Sequence, residues 1–238
     1  MRISTRLARF KLDRAVVVAL LLVSAFLAAR AWLHDHPQHN PWAPLDLNDP
    51  PGWGTQAKLA RLRDDPDECR AVLERSGVAF TALEPLGAGQ CPRPDRLTLD
   101  ELPLAGRAEM TCALGAGLAL WERRVQPLAE TMLGARIARI EHSGTYNCRR
   151  VYGRSTGDWS EHSTGNAIDV AGFVLANGRR IAIMADWKGE GTDAAFLHRA
   201  RVVACEIFGT VLSPDYNAAH ADHLHLDQAA RGWGGYCR

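Results

Sequence analysis

Apolar residues are massed at one place in this chain and spaced out everywhere else. Ala15 to Ala29 reads AVVVALLLVSAFLAA, fifteen residues without a charge. That is shorter than the roughly 20 residues that cross a bilayer. Arg30 can snorkel, however, and Ala31, Trp32 and Leu33 extend the run, with Trp32 suited to the interface. Residues 34–54 carry no periodicity, are rich in Pro, His and Asn, and read as a juxtamembrane linker. From Thr55 the spacing turns helical. Asp65-Pro66 supplies a cap and a first-turn proline, and Gly77 stops that helix after Ser76. A second helix is expected from Ala108 to about Arg124, and a third opened by Pro127 and ended by Gly134. Ala135 to Glu141 reads as a strand. Ala167 to Leu175 and Arg180 to Met184 flank Asn177-Gly178, a hairpin signal. Asp193 to Phe208 reads as a helix with Phe196, Leu197, Ala200, Ala204, Ile207 and Phe208 on one side and Gly209 as its C′ residue. His220 to Asp227 reads as a short strand. Helices first and antiparallel strands later predict an α+β fold, a small antiparallel sheet packed with helices behind an N-terminal membrane helix. The expected organisation is a basic stub and membrane helix over 1–33, the linker over 34–54 and one domain over 55–238.

Charge changes the meaning of the apolar run. The 238 residues carry a formal net charge of +1, with 47% hydrophobic and 23% charged residues, which is globular composition. Residues 1–14 hold Arg2, Arg6, Arg9, Lys11 and Arg14 against Asp13, a net of +4. That leaves 23 bases and 26 acids, a net of −3, for the rest. Basic residues ahead of an apolar run keep the N-terminus in the cytoplasm and send the remainder across the membrane. The expected topology is a membrane crossed once, with the C-terminal domain exported. Ala29-Arg30-Ala31 also fits an A-x-A-like cleavage site, so a signal peptide with a secreted product stays open. A mildly acidic body has no basic stripe for nucleic acid, and no nucleic-acid partner is expected.

The six cysteines, Cys69, Cys91, Cys112, Cys148, Cys205 and Cys237, all follow the apolar run. An even count in an exported chain predicts disulfides, with 15 full pairings open. Cys69 with Cys91 is the expected local bridge. None forms a CxxC pair, which argues against a cysteine-built zinc site. His34, His36 and His39 have ligand-like spacing, but nothing periodic holds them, and a solvated tether is the better reading.

The chemistry gathers in two segments, Ser160-Glu161-His162-Ser163-Thr164-Gly165-Asn166-Ala167-Ile168-Asp169 and His220-Ala221-Asp222-His223-Leu224-His225-Leu226-Asp227. Alternate side chains of a strand share a face. His223, His225 and Asp227 then point one way and Leu224 and Leu226 into the core. Ile168 and Val170 suit the core while Asp169 takes the other face. Two adjacent strands of this kind bring His225 beside Asp169, and His162 reaches over from the preceding turn. Two imidazoles and a carboxylate are the ligand set of zinc sites that keep an open position for water. Asp222, Asp227 and Glu161 are candidates to fix histidine tautomers. No G-x-S-x-G elbow surrounds Ser160 or Ser163, and Gly87-Ala88-Gly89 lacks the context of a phosphate loop.

The pattern S-x-H-x2-G-x-A-x-D from Ser160 to Asp169, followed by H-x2-H-x-H from His220 to His225, resembles the D-alanyl-D-alanine zinc peptidases. That group also contains lysostaphin-type peptidases and the Hedgehog signalling domain. The resemblance implies Zn2+ held by His162, Asp169 and His225. It implies that His223 handles the water proton or stabilises the tetrahedral intermediate, and that His220 orients substrate or water. Ser143-Gly144-Thr145-Tyr146-Asn147-Cys148-Arg149 resembles the S-G-Y-R segment of the group. It implies that Arg149, or Arg150 beside it, polarises the peptide carbonyl or holds a carboxylate. A closer resemblance covers most of the body. Pro41-Trp42-Ala43-Pro44-Leu45, Tyr146-Asn147-Cys148-Arg149, Gly165-Asn166-Ala167-Ile168-Asp169-Val170-Ala171-Gly172-Phe173 and the closing Cys237-Arg238 look like the bacterial extensin-like C-terminal domain family. With 12 prolines and no Ser-Pro-rich repeats, the family label carries no mechanism by itself. Together the resemblances imply a zinc peptidase acting on peptidoglycan peptides, as carboxypeptidase or endopeptidase, held at the bacterial inner membrane by one span with its C-terminal domain in the periplasm. The rival expectation is a wall-binding module that keeps zinc for stability alone.

Overall fold

The computed structural model describes residues 3–231 and 235–238, residues 3–12 as backbone only; Arg2 of the basic stub lies outside the described residues. Helix α1 (Ile3–Asp35) contains the apolar run. From Asp13 to Asp35 it has a mean hydropathy of 2.3, long and apolar enough to span a membrane or to serve as a signal sequence.

The segment after α1 packs against the rest of the chain, where a solvated tether was expected. Trp32 stacks on His36 at 4.5 Å, and His39 packs on Trp53 at 4.6 Å. His36 and His39 therefore serve as ring partners for tryptophans. Further on, Leu45 and Leu47 are buried in the main core, and the Ser76 hydroxyl accepts from the Leu47 N–H.

Helices α2 (Thr55–Arg61) and α3 (Pro66–Arg75) follow, α3 starting at Asp65, whose carboxylate accepts from Glu68 N–H. Strands β1 (Phe80–Leu83) and β2 (Arg96–Leu99) form a separate antiparallel pair. Helix α4 (Cys112–Leu133) corrects two expectations at once. It starts at Thr111, whose hydroxyl accepts from Leu114 N–H, because Met110 is already bridged to Leu97. It also runs through Pro127 instead of restarting there. Pro127 is exposed, while Val125, Gln126 and Ala129 continue the buried face. The Gln126 amide clips that half of the helix to both backbone groups of Ile137, each at 2.9 Å.

Among the described residues the main sheet has six strands: β3 (Ile137–His142), β4 (Ala167–Leu175), β5 (Arg180–Ala182), β6 (Thr210–Leu212), β7 (Leu224–Asp227) and β8 (Tyr236–Cys237), five of them in the order β3-β4-β7-β6-β8 and β5 beside β4 off that path. One edge of β4 is paired by β3; its other edge is shared by β7, then β5. All pairings are antiparallel except β6–β8. The β4–β5 hairpin forms at Asn177-Gly178 as expected. Gly178 N–H donates to Leu175 O with Gly178 at φ +85°, and Leu175 N–H donates to Arg179 O. The expected strand to Met184 ends at Ala182, because the Asp186 carboxylate accepts from Ala182 N–H and closes a turn of helix, α5 (Ile183–Asp186).

Helix α6 (Thr192–Cys205) packs on α4, with Trp121 Nε1 donating to Ala200 O and Phe173 between Trp121 and Phe196. It ends before Phe208, and Gly209 is not its C′ residue. A Cβ on Gly209 would lie 2.0 Å from Ala229 O, so glycine is required there by the close approach of two backbones. The cysteines pair as Cys69–Cys112, Cys91–Cys148 and Cys205–Cys237, which corrects the expected Cys69–Cys91 bridge. Cys69 sits on α3 against the first residue of α4, so the helix contact decides the pairing, not sequence proximity.

Candidate metal centre

Register brings the first two donors together. In the antiparallel β4–β7 pair Asp169 lies opposite His225, and Ile168 opposite Leu226. Their apolar neighbours are fully buried, while Asp169 and His225 take the opposite, partly open face. The third donor comes from a 3-10 turn, Glu161–Thr164. Ser160 caps it, its hydroxyl accepting from His162 N–H, and Gly165 ends it at φ +76°, a conformation that costs glycine little. His162 is thereby buried against the strand pair, 4% exposed.

Three atoms converge. His162 Nε2 lies 3.2 Å from Asp169 Oδ1 and 3.2 Å from His225 Nδ1, and His225 Nδ1 lies 3.0 Å from Asp169 Oδ1. The second nitrogen of each ring is tied off. His162 Nδ1 donates to Thr145 O at 3.2 Å, and His225 Nε2 donates to Asp227 Oδ2 at 2.9 Å. Such partners orient ring ligands and fix the tautomer that turns a lone pair towards a metal. The three residues form a group that can hold a metal ion.

The electrostatics follow from this packing. Burial works to raise Asp169, but its close contacts with the His162 and His225 rings outweigh it and hold the carboxylate well below its usual range. Burial works to lower His225, but Asp169 and Asp227 on its two nitrogens raise it to about 9. Burial and the charges of His223 and His225 push His220 down to about 4.

The triad opens into a cleft of ≈ 450 Å³ lined also by Arg149, Tyr152, His220, His223, Arg63 and Arg231. His223 stands with Nδ1 on Asp222 Oδ1 at 2.8 Å and Nε2 3.5 Å from Asp169 Oδ1. It precedes β7 instead of lying within it. His220 ends a 3-10 turn, Ala218–His220, with its ring 5.1 Å from that of His223. The expected His220–Asp227 strand is thus shortened to four residues, because Asn217 caps this turn through Ala219 N–H. Arg149 lines the cleft, and its guanidinium has no partner among the described residues. Arg150 is engaged elsewhere, donating to Gly157 O and stacking over Trp159 at 4.4 Å.

Of the three acids expected near the histidines, Asp222 and Asp227 pair with rings. Glu161 instead accepts from Asn166 Nδ2 at 2.6 Å and faces Arg63 at 3.5 Å. Arg63, Tyr152, Asn217 and Arg231 were not singled out in the sequence. Only Asn217 carried a local signal, a cap-forming residue three positions before His220.

A family model described as extensin-like protein C-terminus matches residues 67–238. No curated protein and no solved structure matches the chain.

Proposed function

The chain belongs to the extensin-like C-terminal family, and we propose that it works there as a membrane-anchored, exported zinc peptidase that hydrolyses peptide bonds of peptidoglycan. One observation carries this reading: three donor atoms 3.0–3.2 Å apart at the base of an open cleft. Donors about 2.0–2.1 Å from a tetrahedral zinc stand about 3.3 Å from one another, so the spacing fits that ion. Two imidazoles and a carboxylate are also a zinc donor set, His225 giving up a proton as the ion binds. A bound zinc supplies Lewis acidity to the scissile carbonyl and acidifies a water.

The chain's own residues supply the rest. Thr145 O and Asp227 aim the ligand lone pairs. His223 and His220 offer ring nitrogens beside the ligands, able to hold or move a proton during attack. Arg149 presents a free positive charge to a developing oxyanion or a substrate carboxylate. A zinc kept only for stability would be closed by a fourth protein ligand. Among the described residues the group holds three, with the cleft on the remaining side.

The test is the full chain in detergent, loaded with zinc and incubated with muropeptides of known structure, with products read by mass spectrometry. Loss of a terminal residue marks a carboxypeptidase and scission of cross-linked dimers an endopeptidase. His162→Ala should abolish cleavage. Intact peptides after incubation with zinc-loaded protein would sink the enzyme reading in favour of a wall-binding module.

A further inference from the structure

The cleft holds two histidines that are not metal ligands, and the hydrogen bonds around His220 determine which of its nitrogens carries the proton. Asn217 Oδ1 accepts from the Ala219 N–H at 3.0 Å. A backbone N–H can only donate, so this contact identifies the amide oxygen of Asn217 and excludes the flipped amide. The same oxygen lies 2.8 Å from His220 Nδ1. An amide oxygen can only accept, so Nδ1 carries the hydrogen. The neutral ring then has its lone pair on Nε2, and that nitrogen has no protein partner among the described residues in a ring that lines the cleft.

The other end of Asn217 is used as well. Its Nδ2 donates to the Tyr152 hydroxyl at 3.0 Å. Tyr152 sits at φ 57°, the one residue other than glycine with positive φ among those described. A bulky side chain holds that conformation only where its surroundings insist on it. Tyr152 also lines the cleft, with its ring 6.3 Å from that of His220. His223 is arranged differently, since its Nδ1 meets a carboxylate, Asp222, not an amide.

We propose that Asn217, braced by Tyr152, is a positioning residue that locks His220 in the Nδ1–H tautomer, so that His220 Nε2 is the proton acceptor of the cleft. This rests on the peptidase reading for its catalytic consequence and stands apart from it for the tautomer. In the reaction, Nε2 takes the proton released as water adds to the peptide carbonyl. The imidazolium then returns that proton to the leaving amine, so the ring ends the cycle as it began.

The experiment uses the full chain in detergent with 15N-labelled histidine, before and after zinc loading. Long-range proton–nitrogen spectra report the tautomer of each ring, and His220→Gln identifies the signal. Wild type should show His220 as Nδ1–H, and Asn217→Ala should move the population to Nε2–H. Asn217→Asp keeps an acceptor for both Ala219 N–H and Nδ1, and should retain Nδ1–H even if the alanine variant folds poorly. With muropeptides, Asn217→Ala should lose about 100-fold or more in kcat, the scale of a lost general base or a wrong tautomer. KM should change little, and Asn217→Asp should recover most of the loss. An Nε2–H signal for His220 in wild type, or Nδ1–H persisting in Asn217→Ala, overturns the proposal, as does undiminished turnover in Asn217→Ala. The assigned tautomer without any cleavage by wild type supports the positioning and overturns the peptidase reading.

Discussion

Each ring nitrogen that faces away from the candidate metal centre has its own acceptor, and for His225 that acceptor is a buried carboxylate. Asp227 is 2% exposed, holding His225 Nε2–H through Oδ2 and Ala229 N–H through Oδ1. Asp227→Ala should weaken zinc binding by about 10–100-fold, read by competition with a chromophoric chelator. Asp227→Asn, which keeps an acceptor, should lose less. Unchanged affinity in the alanine variant would mean that the ring is held by packing alone. A second carboxylate, Glu109, is tuned by arginines. The Arg96 hydrogen bond, against the opposing effect of burial, and the charges of Arg96, Arg93 and Arg107 lower its pKa. A lowered carboxylate contributes stability above its unfolded value of about 4.3 and loses it as pH falls through the native one. Glu109→Gln should therefore melt below wild type at pH 7, and the gap should close below about pH 4. A gap independent of pH would assign the loss to packing. At this scale the pairing of Asp169 with His225 was legible, because alternation along β4 and β7 turns both to one face, and His162 was legible as a residue of the turn ahead of β4 that could reach them. The Thr145 carbonyl was not, since a backbone acceptor has no residue signature. Nor was Arg63, which reaches Glu161 and Gln228 O from a loop about a hundred residues upstream of Glu161.

Among the elements, the hairpin, α3 and β4 were readable because each carries its own stop signals within a few residues. The misread boundaries share a different origin. Proline inside a helix costs about 3 kcal/mol, which predicts a break at Pro127. The Gln126 clip to Ile137 and the buried Val125 and Ala129 hold α4 continuous across it. Gly209 reads as a helix stop from sequence, yet its role is set by Ala229, twenty residues away. Its N–H donates to Asp227 O, so this contact also closes the end of β7 beneath the candidate metal centre. Gly209→Ala should destabilise the protein at the upper end of the roughly 1–3 kcal/mol that overpacking costs, because the obstructing atoms are backbone and cannot swing aside. The measurement is the midpoint of thermal or urea unfolding, and a variant as stable as wild type would contradict the close approach.

Across the whole molecule, the three disulfides tie unlike things together. Cys69–Cys112 joins α3 to the start of α4, and Cys205–Cys237 joins the end of α6 to β8. Cys91–Cys148 alone reaches the segment that carries the Thr145 carbonyl and Arg149. The charge split and the apolar run predicted an oxidising compartment, and with it the use of all six cysteines. The pairing was beyond the sequence, because it depends on which helices and loops come into contact. Closing a loop of 57 residues' separation removes chain entropy worth about 4 kcal/mol, so any of the three bonds should matter to stability. Only one should matter to the site. Replacing both Cys91 and Cys148 by serine should lower the unfolding midpoint and also weaken zinc binding by roughly 10-fold or more, as expected when a ligand's orienting partner is loosened. Replacing Cys205 and Cys237 by serine should lower the midpoint alone. Equal losses of zinc affinity in the two double variants would mean that general stability, not the anchored Thr145–Arg149 segment, governs the centre.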